Sequence, residues 1–126
     1  MHRNKCIAVD VDGTLCELKR GDESYIDLLP IKGAVEALQE FDRRGYEILL
    51  YTARGMGTYG HDVGKVTAFR IPELERWLKK WKIPYHGIYL KPDVLTLIDD
   101  RAIRFKSWKQ AKKDIEKEIY KTNCGY

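Results

Sequence analysis

The chain has 126 residues, 44% of them hydrophobic and 33% charged, and carries a net charge of +4. That length suits one domain over 1–126, and a chain of this size buries roughly two-thirds of its unfolded surface, so a core needs no staples. The composition excludes a disordered chain and no apolar run is long enough to cross a bilayer; the run that stops at Asp10 is too short for a secretory core, so the cytoplasm is the expected address.

Cys6-Ile7-Ala8-Val9 is a continuous apolar run between Lys5 and Asp10, the pattern of a strand buried on both faces. Residues 33–44 switch to helical period, with Ala34, Leu38 and Phe41 on one face, Val35 beside them and Gly45 at the C′ position. Tyr46–Tyr51 reads as a second buried strand. Residues 55–70 hold Gly55, Gly57, Gly60 and Gly64 and read as a long flexible loop, a lid or specificity loop where it borders a site. Its Gly60–Thr67 stretch brushes a Walker A pattern, but Val66 stands where Ser or Thr is needed.

Pro72 opens a second helix, whose Leu74, Trp77, Leu78 and Trp81 form one core-facing stripe closed by Pro84. Gly87–Leu90 is a short third strand, and Val94–Ile98 predicts a fourth, ending at Asp99-Asp100. Ser107 caps a last helix, with Gln110 as its capping-box partner and Trp108, Ala111, Ile115 and Ile119 on its apolar face. Cys6, Cys16 and Cys124 are too scattered for a disulfide framework or zinc site; Cys6 reads as core, Cys124 as a frayed tail and Cys16 as inert.

Strands alternating with helices predict a Rossmann-like parallel sheet in three α/β/α layers. Ligands of such sheets sit outside the carboxyl ends of the strands. Those ends carry Asp10-Val11-Asp12-Gly13-Thr14, then Thr52-Ala53-Arg54, Lys91-Pro92 and Asp99-Asp100. Four carboxylates on one rim repel one another, and a single lysine does not balance them. A divalent cation does, and Mg²⁺ takes a few carboxylates with waters and phosphate oxygens. Mg²⁺, a lysine, a hydroxyl and free backbone N–H groups suit a phosphoryl group, which a neighbouring carboxylate can attack.

Asp10-Val11-Asp12-Gly13-Thr14-Leu15, Thr52, Lys91 and Asp99-Asp100 together resemble the four motifs of the haloacid dehalogenase superfamily of phosphohydrolases, in order across residues 10–100. The resemblance implies that Asp10 is the nucleophile and Asp12 the general acid/base. It implies Mg²⁺ ligation by the Asp10 carboxylate, the Asp12 carbonyl and Asp99, with Asp100 as a further ligand or supporting partner. Thr52 matches the phosphate-binding hydroxyl and Lys91 the lysine that neutralises Asp10 and the phosphoryl charge. Gly13 and Thr14, in the turn after the nucleophile, are candidate substrate contacts, as are Ala53, Arg54 and His61. Leu15 lies too close to the first long helix to allow an inserted cap domain, and Thr52–Lys91 is spent on a helix and a short strand. The chain is therefore similar to capless members, among them small ones associated with bacterial sugar and capsule biosynthesis, which act on large substrates or close the site with a neighbouring subunit. A homo-oligomer is expected on that ground.

The leading expectation is a phosphomonoesterase for a small metabolite, a sugar phosphate or nucleotide. Residues 101–126 carry +5 against −1 for the rest, so removal of a terminal phosphate from nucleic acid is the alternative. No aromatic is interleaved on the polar face, which favours a merely solvated helix. A signalling receiver is disfavoured by motif order, a phosphomutase by the missing cap, and a phosphate-binding protein without turnover by the presence of Asp12.

Overall fold

A computed structural model describes residues 5–123. The elements in chain order are β1 (Cys6–Val9), a 3₁₀ turn (Tyr25–Asp27), α1 (Ala34–Arg43), β2 (Glu47–Thr52), α2 (Val63–Phe69), α3 (Ile71–Lys80), β3 (Gly87–Leu90) and α4 (Trp108–Asn123). The strands form one parallel sheet in the order β1-β2-β3, with Val9 opposite Leu50 and Thr52 opposite Leu90. This is an α/β fold of the expected class. Because the strands are parallel and in register, their carboxyl ends lie together, which brings the segments after β1, β2 and β3 to one rim.

The core sits on the face of Val9, Ile48 and Leu50, where Leu38, Phe41, Leu74, Trp77 and Leu78 are buried with them. Trp77 ties α3 inward: its indole N–H donates to the Leu28 carbonyl at 2.7 Å. Trp81, the last of the expected stripe, is only half-buried. On the opposite face Tyr51 and Tyr89, paired across β2 and β3, remain exposed. Gly45 follows α1 with φ +85°, as the C′ position requires. Ser107 Oγ accepts from the Gln110 N–H at 3.1 Å, but the Gln110 side chain turns forward to Asp114 instead of closing a capping box.

Two expectations are corrected. The glycine-rich stretch is not one open loop. Its first half is a chain of tight turns around buried Met56, and its second half is α2, capped by Asp62 accepting from the Lys65 N–H at 3.1 Å. Val94–Ile98 is not a strand, and Leu95 and Ile98 are fully exposed. Only Lys91, Pro92 and Asp93 separate it from β3. A parallel neighbour needs a crossover of a dozen or more residues, so this link is too short to return the chain to the start of the sheet. Cys124 lies outside the described residues.

Candidate active site

The site grows from the turn after β1. The Val11 carbonyl accepts the N–H groups of Thr14, Leu15 and Cys16, and the Gly13 N–H donates to the Cys16 carbonyl at 2.8 Å. Gly13 takes φ +85°, a conformation glycine adopts at no steric cost. This knot holds Asp10 and Asp12 on one side of the chain, at the strand's carboxyl end.

Asp10 is bracketed. Lys91, arriving after β3, places Nζ 3.0 Å from Oδ1, and Thr14 Oγ1 donates to Oδ2 at 3.2 Å. The Asp10 side chain still keeps 38% of its surface open. Asp12 is held otherwise. Arg54, arriving after β2, donates Nη2 to Oδ1 at 2.8 Å and Nε to Oδ2 at 3.2 Å. The Tyr25 ring, from the 3₁₀ turn, lies 4.2 Å from the guanidinium carbon. Burial works against the Arg54 charge, but the hydrogen bonds and charge of Asp12 outweigh it and hold Arg54 above its ordinary value.

Cys16 is fully buried behind the pair, with Sγ 3.5 Å from Asp12 Oδ1. Burial, then the Asp12 charge, push its thiol up to about 12. It has no thiolate at neutral pH and is inert, as its lack of a histidine partner suggested.

These groups open on a cleft of about 580 Å³ lined by Asp10, Asp12, Tyr25, Ala53, Arg54, Lys91 and Asp93, with Gly55, Gly57 and Thr58 along one wall. Of the residues singled out from the sequence, Asp10, Asp12, Ala53, Arg54 and Lys91 meet there. Thr52 does not line the cleft: it is fully buried and its Oγ1 accepts the Arg54 N–H at 3.1 Å, which sets the bend that aims Arg54. Gly13 and Thr14 shape the turn behind the cleft. His61 takes φ +63° and its Nε2 accepts the Asp93 N–H at 3.0 Å, so it fixes Asp93 and does not face the cleft. Sequence reasoning missed Tyr25 and Asp93. Asp93 follows Lys91-Pro92 directly, and that adjacency was the available signal; Tyr25 had none.

Asp99 and Asp100 stand exposed on the segment beyond β3, with Asp99 Oδ1 accepting the Arg101 N–H at 2.7 Å. Among the described residues no three His, Cys, Asp or Glu side chains are placed to hold a metal ion. The carboxylates on the rim are instead balanced by the protein's own cations, Lys91 for Asp10 and Arg54 for Asp12. Arg54 is the second cation that the charge argument from sequence lacked. The half-open Asp10 carboxylate on a wet cleft is still donor chemistry that fits Mg²⁺, which takes one or two carboxylates with water and phosphate oxygens for the rest.

A target protein from Vibrio cholerae, known as a crystal structure, is similar to this chain at 36% identity and a TM-score of 0.74, covering 90% of this chain and 98% of its own. D,D-heptose 1,7-bisphosphate phosphatase from B. bronchiseptica, solved with magnesium and phosphate, is similar at 19% identity and a TM-score of 0.50, covering 90% of this chain and 63% of its own. A chain of the Pnkp1/Rnl/Hen1 complex is similar at 24% identity and a TM-score of 0.50, covering 76% of this chain and 31% of its own. Scans against family models and curated proteins found no match. The chain belongs to one family with the Vibrio cholerae protein. Its α/β fold is shared with the heptose bisphosphate phosphatase.

Proposed function

We propose that this chain is a haloacid dehalogenase-type phosphomonoester hydrolase that works through an aspartyl phosphate on Asp10. The observation that carries the reading is the pairing of a half-open Asp10 with Lys91 at 3.0 Å, beside an Asp12 held in place by Arg54, at the mouth of one cleft. An Asp10 oxygen attacks phosphorus, the bond from phosphorus to the leaving oxygen breaks, and Asp12, which enters the step carrying a proton taken from solvent, gives it to that oxygen. Asp12 then takes a proton from the water that attacks phosphorus in the phospho-aspartate. Phosphate leaves and the Asp10 carboxylate returns. Lys91 neutralises the nucleophile at rest and the phosphoryl oxygens as charge shifts onto them. Uncatalysed monoester hydrolysis is slow enough that such a site must supply on the order of 20 kcal/mol.

Mg²⁺, held by Asp10 with Asp12 beside it, would screen the phosphoryl charge. Water and phosphate oxygens would complete its ligand set. The substrate class that the cleft fits is a small phosphorylated metabolite, a sugar phosphate or nucleotide: its volume lies within the range of small-molecule sites. The heptose bisphosphate phosphatase of like fold points the same way.

The test is hydrolysis of 4-nitrophenyl phosphate by the purified chain with Mg²⁺ and with chelator, beside Asp10→Asn. The expected result is turnover with Mg²⁺ that chelator removes and that Asp10→Asn lowers at least about 10³-fold, since the amide is no nucleophile. Turnover retained by Asp10→Asn refutes the covalent route.

A further inference from the structure

We propose that Arg54 is a positioning residue for Asp12, locked by Tyr25, and does not bind substrate. The role rests on the hydrolase reading only in that Asp12 is taken as the acid/base. Arg54 was a candidate substrate contact because it follows Thr52 at a strand end. A substrate-binding arginine turns its donors into the cleft. Here both forward donors are spent, Nε and Nη2 on separate oxygens of the one carboxylate. The planar guanidinium matches that fork, which a lysine cannot. The side chain is only 2% exposed, and its third nitrogen, Nη1, is buried with no partner among the described residues.

Three further contacts fix the clamp. Thr52 Oγ1 holds the Arg54 backbone N–H at 3.1 Å, Tyr25 covers one guanidinium face, and Cys16 Sγ lies 3.6 Å from Nη2. Asp12, a quarter exposed, is thereby aimed into the cleft with the lone pairs that Arg54 leaves free. A proton taken up on one of those lone pairs is the one that the leaving oxygen must reach. Tyr25 thus joins the stretch after the first motif to the chemistry without touching the reacting atoms.

The role is tested by a double-mutant cycle in the full chain with Mg²⁺, using 4-nitrophenyl phosphate and a simple alkyl phosphate. Arg54→Ala is expected to lower kcat about 10²-fold with KM nearly unchanged, as misplacement of a reacting group does. The loss should be greater for the alkyl ester, whose leaving oxygen needs the proton, than for nitrophenolate, which does not. In an Asp12→Ala background the same substitution should cost less than about threefold, because its target is gone. Arg54→Lys should recover only part of the loss. Losses that multiply independently of Asp12, or a KM rise at constant kcat, overturn the role and return Arg54 to the substrate.

A second readout needs no turnover. The Arg54 Nε–H should give a resolved, exchange-protected ¹⁵N signal that Asp12→Ala and Tyr25→Ala each make labile. A signal as labile as those of exposed arginines in the unaltered protein overturns the clamp. A protected signal in a chain that hydrolyses neither ester refutes the hydrolase reading and leaves the clamp standing.

Discussion

The Trp108 indole N–H donates to the Thr14 carbonyl at 2.8 Å, in a buried contact between the start of α4 and the turn after β1. Trp108 also packs its Cβ 3.1 Å from the position a side chain on Gly33 would take, so the residue wedges α4 against the entry to α1. Trp108→Phe keeps most of the apolar bulk and removes the donor. The Thr14 carbonyl is then left buried without a partner, at a cost of about 1–3 kcal/mol. Urea unfolding should show that loss as a lower midpoint at unchanged slope, and an unchanged midpoint would mean that the bond contributes nothing. At this scale the sequence was legible where chemistry is local. Asp10, Asp12 and Gly13 sit in one turn, and a carboxylate, glycine and hydroxyl at that spacing announce it. The Arg54–Asp12 clamp was not legible, because its partners lie 42 positions apart and an arginine after a strand end serves a substrate or a neighbour equally well. Thr52 was misread for a related reason: a threonine hydroxyl at a bend can bind a ligand or its own backbone, and here it takes the N–H two residues on.

Among the elements, α1, α3 and α4 were legible within a residue or two, because each buries an apolar stripe that repeats at helical period. α2 was not, since its seven residues include Gly64 and bury only Val66. Such a helix draws little on packing and depends on its ends. The Asp62 side chain is the one capping contact at its start, so Asp62→Ala should cost about 1 kcal/mol and release that contact. The measurement is hydrogen exchange: amides of 65–69 should exchange faster while those of α3 stay protected, and equal loosening of both helices would show that they unfold as one unit. Val94–Ile98 misled in the opposite direction. Its five β-branched or apolar residues carry a strand's composition, but composition does not report the length of the connection. Three residues after a parallel strand leave no route back, and with the strand went the delivery of Asp99 and Asp100 to the rim. The expectation of a carboxylate quartet thus failed on topology, while the pair at the end of β1 stood.

Across the whole molecule charge is separated: residues 101–126 carry +5 and the remainder −1. That asymmetry favours a nucleic-acid substrate, and the structure pairs two of the α4 lysines with acids. Lys112 of α4 reaches Glu40 of α1 at 2.8 Å, and its hydrogen bond and charge hold that carboxyl below its ordinary value. Lys121 pairs with Glu118 along the helix at 3.4 Å. The cleft is close to balanced by its own residues, with Asp10, Asp12 and Asp93 set against Lys91 and Arg54. A strand bound along α4 would need several lysines on phosphates at once. Raising salt from about 50 to about 200 mM costs a protein with six to ten such contacts roughly 10³–10⁵ in affinity. A small ester met only by the cleft loses little over that range, because contacts at a few ångströms are screened far less than a field across solvent. So kcat/KM for a sugar phosphate or 4-nitrophenyl phosphate should fall less than about threefold between those salts. Release of phosphate from a 3′- or 5′-phosphorylated oligonucleotide should be no faster than from the free nucleotide. An oligonucleotide preferred by 10-fold or more at low salt, with the preference collapsing as salt rises, would instead assign α4 to a polyanion and the cleft to strand ends.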